Sequence, residues 1–387
     1  MKHFIYQSLI TLSLFTLLLS GCRTDDEEII IHQEETVDEP DGANLKAKGF
    51  FLLNEGNMGS NKCTLDYYDA VSGTYVRNIY GEANPTVVQE LGDVGNDIQI
   101  YREKVWAVIN CSHFVEIMDA TTARHITQVS IPNCRYVAFK DDYAYVTSYA
   151  GPVLIDPNAR LGYVAKVNVN TFEVEDTCTV GYQPDELVVC GDKLYVANSG
   201  GYRVPDYDST VSVIDLKTFK VCNTIPVAIN LHRLELDNQG FIWVSSRGDY
   251  YDVPSRTFVI DPNTDTVVDQ LDIANTEMTL AGDSLLIYGT EWSYIENDWT
   301  ITWHIVDTRT RYVISDKIIT DGTETKIRMP YGIAVNPDNR DIYITDAKDY
   351  VSPGRLFCYD KNGVYRWDVR TGDIPAHFAF TDTRLTY

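Results

Sequence analysis

The sequence is short of positive charge: 32 Lys and Arg stand against 56 Asp and Glu, for a net charge of −24 at pH 7. Nucleic acid and anionic lipid both require a basic footprint, so neither fits as a ligand, and the acidity reads as solubility. Histidine is scarce as well, with seven in 387 residues. The histidines are scattered, none has zinc spacing, and no CxxC pair accompanies them. GxSxG, HExxH, P-loop and EF-hand patterns are all missing, which removes the hydrolase, nucleotide and metal chemistries most legible in a sequence. Cys22 apart, the cysteines stand at 63, 111, 134, 178, 190, 222 and 358. An odd number leaves at least one thiol unpaired, and Cys178 and Cys222 fall in strand-like runs, where they are expected as small buried apolar residues.

The first residues are apolar in a different way. Residues 1–21 place Lys2 ahead of a long apolar run ending in small residues, the pattern of an export signal. Leu19-Ser20-Gly21-Cys22 resembles the lipobox of bacterial lipoproteins, in which the cysteine becomes the lipidated first residue. Acyl chains contribute roughly 0.8 kcal/mol per buried CH₂, so lipidation of Cys22 implies membrane attachment without a spanning helix. Residues 22–48 are acidic and too poor in apolar side chains to fold alone, which makes them a tether. Asp25-Asp26-Glu27-Glu28 resembles the surface-export signal of Bacteroidetes lipoproteins; the plainer alternative is a solvated acidic linker.

Residues 49–387 repeat. An apolar residue followed by Asp, with Ser, Thr or Gly close behind, recurs at Asp69, Asp119, Asp215, Asp261, Asp307 and Asp360, and Asn168 fills the remaining slot. A second marker runs in register with it: Phe51, Trp106, Tyr145, Tyr195, Trp243, Leu286 and Tyr343 in the preceding strand. Seven units of strand, loop, strand, turn and strand predict one all-β domain, a single seven-bladed β-propeller. The marker Asp is expected to accept hydrogen bonds from the turn that follows it. The first unit lacks an inner strand, and 376–381 supplies an alternating segment at the other end of the chain. The C-terminal strand is therefore expected to complete blade one and leave no open seam. The other inner strands are expected at 97–101, 135–139, 186–190, 233–236, 277–281 and 331–335.

One face of this disc carries short turns and the other carries long loops, at 149–162, 199–209, 247–256, 290–299 and 347–354. Strand alternation brings the entries of the inner strands out among these loops, around the mouth of the central channel. The expected ligand-binding residues are Arg135, Tyr149, Tyr202, Arg203, Tyr207, His232, Arg233, Tyr250, Tyr251, Trp292, Tyr294, Tyr331 and Tyr350, with Trp299 beside them. Tyr and Trp give wide, rigid contact area with a polar tip, suited to a bulky ligand that is part apolar and part amide or hydroxyl. His232 and His377, with Asp185 or Glu186, form a candidate metal site or a candidate acid/base pair for a lyase- or lactonase-type propeller, and Asp206 with Asp208 a candidate Ca²⁺ pair. No catalytic residue and no resident metal or cofactor is assigned.

Tyr195-Val196-Ala197-Asn198, Tyr145-Val146-Thr147-Ser148, Trp243-Val244-Ser245-Ser246 and Tyr343-Ile344-Thr345-Asp346 resemble the YVTN-type repeats of YncE-like and surface-layer propellers. With the lipobox, the acidic signal and the tyrosine-rich loops, the chain resembles Bacteroidetes surface propellers that capture corrinoids (vitamin B12). The resemblance implies an outer-membrane, lipid-anchored, surface-exposed binding protein that passes a corrinoid to a TonB-dependent transporter. A propeller that binds a glycan, peptide or protein partner is the alternative. Tyr hydroxyls and one or two arginines suit a macrocycle edged with amides and carrying one phosphate.

Overall fold

The computed structural model describes residues 34–40, 45–87, 91–293 and 298–386. The signal-like stretch 1–21 and Cys22 lie outside the described residues. Seven antiparallel sheets form a ring. Blade one comprises β1 (Glu34–Thr36), β2 (Gly49–Asn54), β3 (Thr64–Asp69), β4 (Thr74–Val76) and, innermost, β29 (Pro375–Thr381). The inner strands of blades two to seven are β5 (Gly95–Tyr101), β9 (Cys134–Lys140), β13 (Pro184–Cys190), β17 (Leu231–Leu236), β21 (Glu277–Ala281) and β25 (Pro330–Val335). Each inner strand touches the next around the ring, and β29 touches both β25 and β5. This is a seven-bladed β-propeller closed by its C-terminal strand.

The two sequence markers explain why the blades form and stack. The second-strand residues Phe51, Trp106, Tyr145, Tyr195, Trp243, Leu286 and Tyr343 are all at most 4% exposed. They fill the wedge between neighbouring blades, as Trp106 does beside Val137, Ala144 and Val146 of blade three. The third-strand Asp is structural. Asp119 accepts from the Thr121 backbone N–H and hydroxyl, Asp215 from both groups of Thr218, and Asp307 from the N–H groups of Arg309 and Thr310. Asn168 does the same for Asn170 and Thr171. In every blade the turn then passes through a positive φ, at Gly73, Ala123, Phe172, Phe219, Asp265, Arg311 and Gly363. The side-chain acceptor holds that turn in place.

Closure is extensive. β29 pairs with β2 from Gly49↔Thr381 to Asn54↔Pro375. Phe50 sits under this seam with Tyr343 at 4.7 Å, Phe378 at 5.4 Å and Phe380 at 5.6 Å between ring centroids. Part of the stretch expected as a tether joins the sheet instead. Glu34–Thr36 pairs with Thr74–Val76, and Asp38 accepts from Arg366 Nη2 at 2.9 Å and Trp367 Nε1 at 3.0 Å. Backbone pairing needs no apolar side chains, which is why composition alone gave no sign of this strand.

Gly332 of β25 packs directly against the closing strand, and a Cβ there would lie 2.0 Å from the Ala376 carbonyl oxygen. Gly332→Ala is expected to destabilise the propeller by about 1–3 kcal/mol through overpacking at the seam. A lower urea midpoint would show this; an unchanged midpoint would mean that the seam yields without cost.

Candidate functional site

The side chains of the channel are aimed by a repeated irregularity. In blades three, four, five and seven, two inner-strand residues stand opposite one second-strand residue, a β-bulge at the strand entry. The bulged pairs are Arg135–Tyr136, Asp185–Glu186, His232–Arg233 and Tyr331–Gly332. The single residue opposite is Thr147, Ala197, Ser245 or Thr345, the third position of the quartets picked out in the sequence. Where that position carries a hydroxyl, it accepts the N–H that the bulge leaves unpaired: Tyr136 N–H at 3.0 Å, Arg233 N–H at 2.9 Å and Gly332 N–H at 2.7 Å. Just before the inner strands of blades three, four and five, Asn133, Gln183 and Asn230 have positive φ, and their carbonyls accept from Tyr149, Ser199 and Arg247 N–H. Long loops and strand entries are thus tied together on one face.

The bulged residues meet in a charged network. Asp185, fully buried, accepts from Arg135 Nε at 3.1 Å, Arg247 Nη1 at 3.2 Å and Tyr149 Oη at 2.7 Å. Arg233 pairs with Glu277 and lies 3.8 Å from Glu186, which also accepts the Leu234 N–H. Tyr136 Oη lies 3.0 Å from His232 Nε2, and the ring of Tyr136 has Arg233 at 5.1 Å and Arg135 at 5.8 Å from its centroid. Across the channel, Glu55 pairs with His377 Nε2 at 3.0 Å and accepts from Tyr331 Oη at 2.8 Å. Burial, reinforced by Arg247, Arg233 and Arg135, holds His232 well below its ordinary range, so it is neutral. Burial pushes the Glu186 carboxyl well up against the pull of Arg233, and it pushes Glu235 up to about 8 with help from Glu277.

The expected site residues divide into three groups. Arg135, Tyr149, His232, Arg233 and Tyr331 come together in the channel. Tyr149 is only 3% exposed and supports Asp185, so it is no part of an exposed recognition surface. Tyr202, Arg203, Tyr207 and Tyr350 are half-buried in the loops: Tyr202 packs edge-on to Tyr149, Arg203 stacks on Tyr182 at 3.7 Å, and Tyr350 packs edge-on to Tyr331. Tyr250, Tyr251 and Trp292 stand exposed at the rim, with Trp292 edge-on to Trp299 at 5.6 Å on a long hairpin made by β22 (Ser284–Ser293) and β23 (Asp298–Asp307). Tyr294 lies outside the described residues.

Three further expectations change. Cys178 is buried as expected, but Cys222 is exposed, because it lies on the solvent-facing outermost strand of its blade. His232 and His377 do not pair with Asp185 or Glu186, because the bulge turns His232 onto Tyr136 and His377 reaches Glu55 instead. Asp208 is occupied by the N–H groups of Tyr182, Ser209 and Thr210 and by the Thr210 hydroxyl, which makes it a loop brace. Sequence reasoning missed Glu55, Tyr136, Arg247 and Glu277. Arg247 follows its quartet as Tyr149 follows Tyr145–Ser148, and Tyr136 follows Arg135 as Arg233 follows His232, so the repeat register held the signal for both.

Comparison with known proteins gives a family and a fold. Residues 48–383 match the model of a family described as a domain of unknown function, DUF5074. The chain belongs to this family. A search of curated proteins found no match. Among solved structures, hydrazine synthase of Kuenenia stuttgartiensis is similar at 16% identity and a TM-score of 0.54, over 69% of this chain and 77% of that one. A quinoprotein alcohol dehydrogenase-like protein of Bacteroides thetaiotaomicron is similar at 15% identity and 0.53, over 87% and 78%. Apo AztD of Citrobacter koseri is similar at 11% identity and 0.52, over 87% and 98%. At these identities the likeness shows the DUF5074 chain's fold and nothing of its chemistry.

Glu235 gives the network a pH signature. Its folded-state pKa of about 8 lies above the roughly 4.3 of a free glutamate, so the folded state holds the proton more tightly than the unfolded state. The stability it contributes is present below about pH 4 and is lost as pH rises towards 8. Glu235→Gln is expected to leave the urea midpoint unchanged near pH 4.5 and to raise it progressively up to pH 8.5. A difference that stays flat with pH would contradict a carboxyl that keeps its proton in the folded state.

Proposed function

We propose that this DUF5074 propeller is a lipid-anchored surface binding protein, not an enzyme, that takes a bulky, partly apolar ligand over the channel mouth. The observation that carries this reading is the one-sided distribution of exposed apolar side chains. Met58, Leu154, Ile155, Val204, Tyr250, Tyr251, Val253, Trp292, Trp299 and Val351 are all more than a third exposed, and all stand on the mouth face. Leu161 belongs to the same mouth loops and Val87 to the connection into β5; among the described residues, the opposite face has only Val364 in this class, and the others lie on outer strands. Exposed apolar surface gathered on one face marks an interaction site.

The ligand class is a corrinoid, by the resemblance drawn from the sequence. The rim offers aromatic faces for a macrocycle, tyrosine hydroxyls for its amide edge, and arginines just inside for its phosphate. Anchorage through Cys22 would hold the disc at the outer membrane, facing a TonB-dependent transporter to which the corrinoid passes. A protein partner is the second reading, favoured by the reach of the apolar rim around loops of six blades.

Isothermal titration with cyanocobalamin tests the first reading. One-to-one binding is expected, with Tyr251→Ala and Trp292→Ala each weakening it tenfold or more, about 1.4 kcal/mol. Absence of heat, together with no co-elution of the coloured ligand, would overturn the corrinoid assignment and leave the protein partner.

A further inference from the structure

The channel network leaves two donors over. Among the described residues, His232 Nδ1 and Arg233 Nε have no hydrogen-bond partner, although these two residues are only 7% and 8% exposed. Buried donors in native proteins are nearly always matched, so two orphans on adjacent residues of one bulge point to an acceptor that is not part of the chain. The tautomer supports this. A buried tyrosine hydroxyl donates where it can, and with Tyr136 Oη donating to His232 Nε2 the imidazole proton sits on Nδ1, the unmatched atom.

The charge around these donors has a sign. Arg135 and Arg247 share one carboxylate, that of Asp185, from opposite oxygens. Arg233 faces Glu277 and Glu186, and Glu186 holds its proton unusually tightly. At Asp185 two guanidiniums face one carboxylate, a local excess of positive charge in a chain whose overall charge is −24, whereas Arg233 has Glu277 as partner and Glu235 and Asp97 within electrostatic reach. The exposures fall from the rim inward, 27% for Arg247, 13% for Arg135 and 10% for Arg233, so the cations line a path from solvent to the orphaned imidazole.

We infer that the throat of the channel, formed by Arg247, Arg135, His232 and Arg233, is an oxyanion site that takes one phosphate or carboxylate group of the ligand held at the rim. Guanidiniums match the geometry of such groups, and a neutral imidazole N–H adds a directional donor at no cost in charge. The inference rests on the mouth being the ligand face, but it fails separately from it.

The test uses the full chain in detergent, labelled with ¹⁵N-histidine, with the His232 signal assigned through His232→Gln. Inorganic phosphate and acetate are titrated in turn at constant ionic strength. A saturable shift of His232 is expected with at least one of them, and the arm that saturates at lower concentration identifies phosphate or carboxylate. His125, paired with Glu116 away from the throat, should not move. Arg247→Gln should weaken the response at least tenfold, whereas Arg309→Gln on the opposite face should leave it unchanged. If Arg247→Gln does not fold, the wild-type titration alone decides. No saturable shift with either anion, or an undiminished one in folded Arg247→Gln, would overturn the inference and assign the orphan donors to water. Cyanocobalamin binding alongside a silent throat would leave the mouth reading standing and remove only the oxyanion site.

Discussion

The pairing of β29 with β2 is the interaction on which the rest depends. It turns a row of seven sheets into a ring, so that seven inner strands must face one another across a channel. Each inner strand then has one face against a neighbouring blade and one face inward, and the inward side chains have only each other for partners. Closure therefore does more than hide an edge. It forces arginines, carboxylates, tyrosines and histidines from different blades into one small volume, where their pairings become mutual constraints.

The bulge decides which side chains enter that volume. Without it, strand alternation would present one residue per pleat; with it, two consecutive residues such as Arg135–Tyr136 or His232–Arg233 are redirected at the entry. The hydroxyl at the third quartet position makes this affordable by accepting the stranded N–H. Thr147, Ser245 and Thr345 thus link a local sequence pattern to the composition of the channel. The quartet was visible in the sequence as a fold marker, and its consequence for the channel was not, because a bulge is a register event between two strands.

The same distinction explains what else was legible. Blade number and the closing strand follow from the seven-fold repeat running the length of the chain, and the structural role of Asp119 or Asp307 from hydrogen bonding within a few residues. Rim placement of Tyr250, Tyr251 and Trp292 followed from loop length. The burial of Tyr149 and the part played by Arg247 depend on contacts between blades, and the pairing of His377 with Glu55 joins the two ends of blade one, 322 residues apart in sequence. No local pattern encodes those. The strand at Glu34–Thr36 was hidden for another reason, since its stabilisation comes from backbone pairing and the Asp38 contacts.

Rim and throat give the mouth two layers: an apolar, aromatic outer ring and a charged interior that is largely paired. The central claim is that ligands engage this face and no other. Hydroxyl-radical footprinting of the full chain, with and without cyanocobalamin or a candidate partner protein, tests it most directly. The account predicts protection of Tyr250, Tyr251, Trp292 and Trp299, while Tyr312, exposed on an outer strand, keeps its reactivity. Protection of Tyr312 with the rim aromatics unchanged would contradict it.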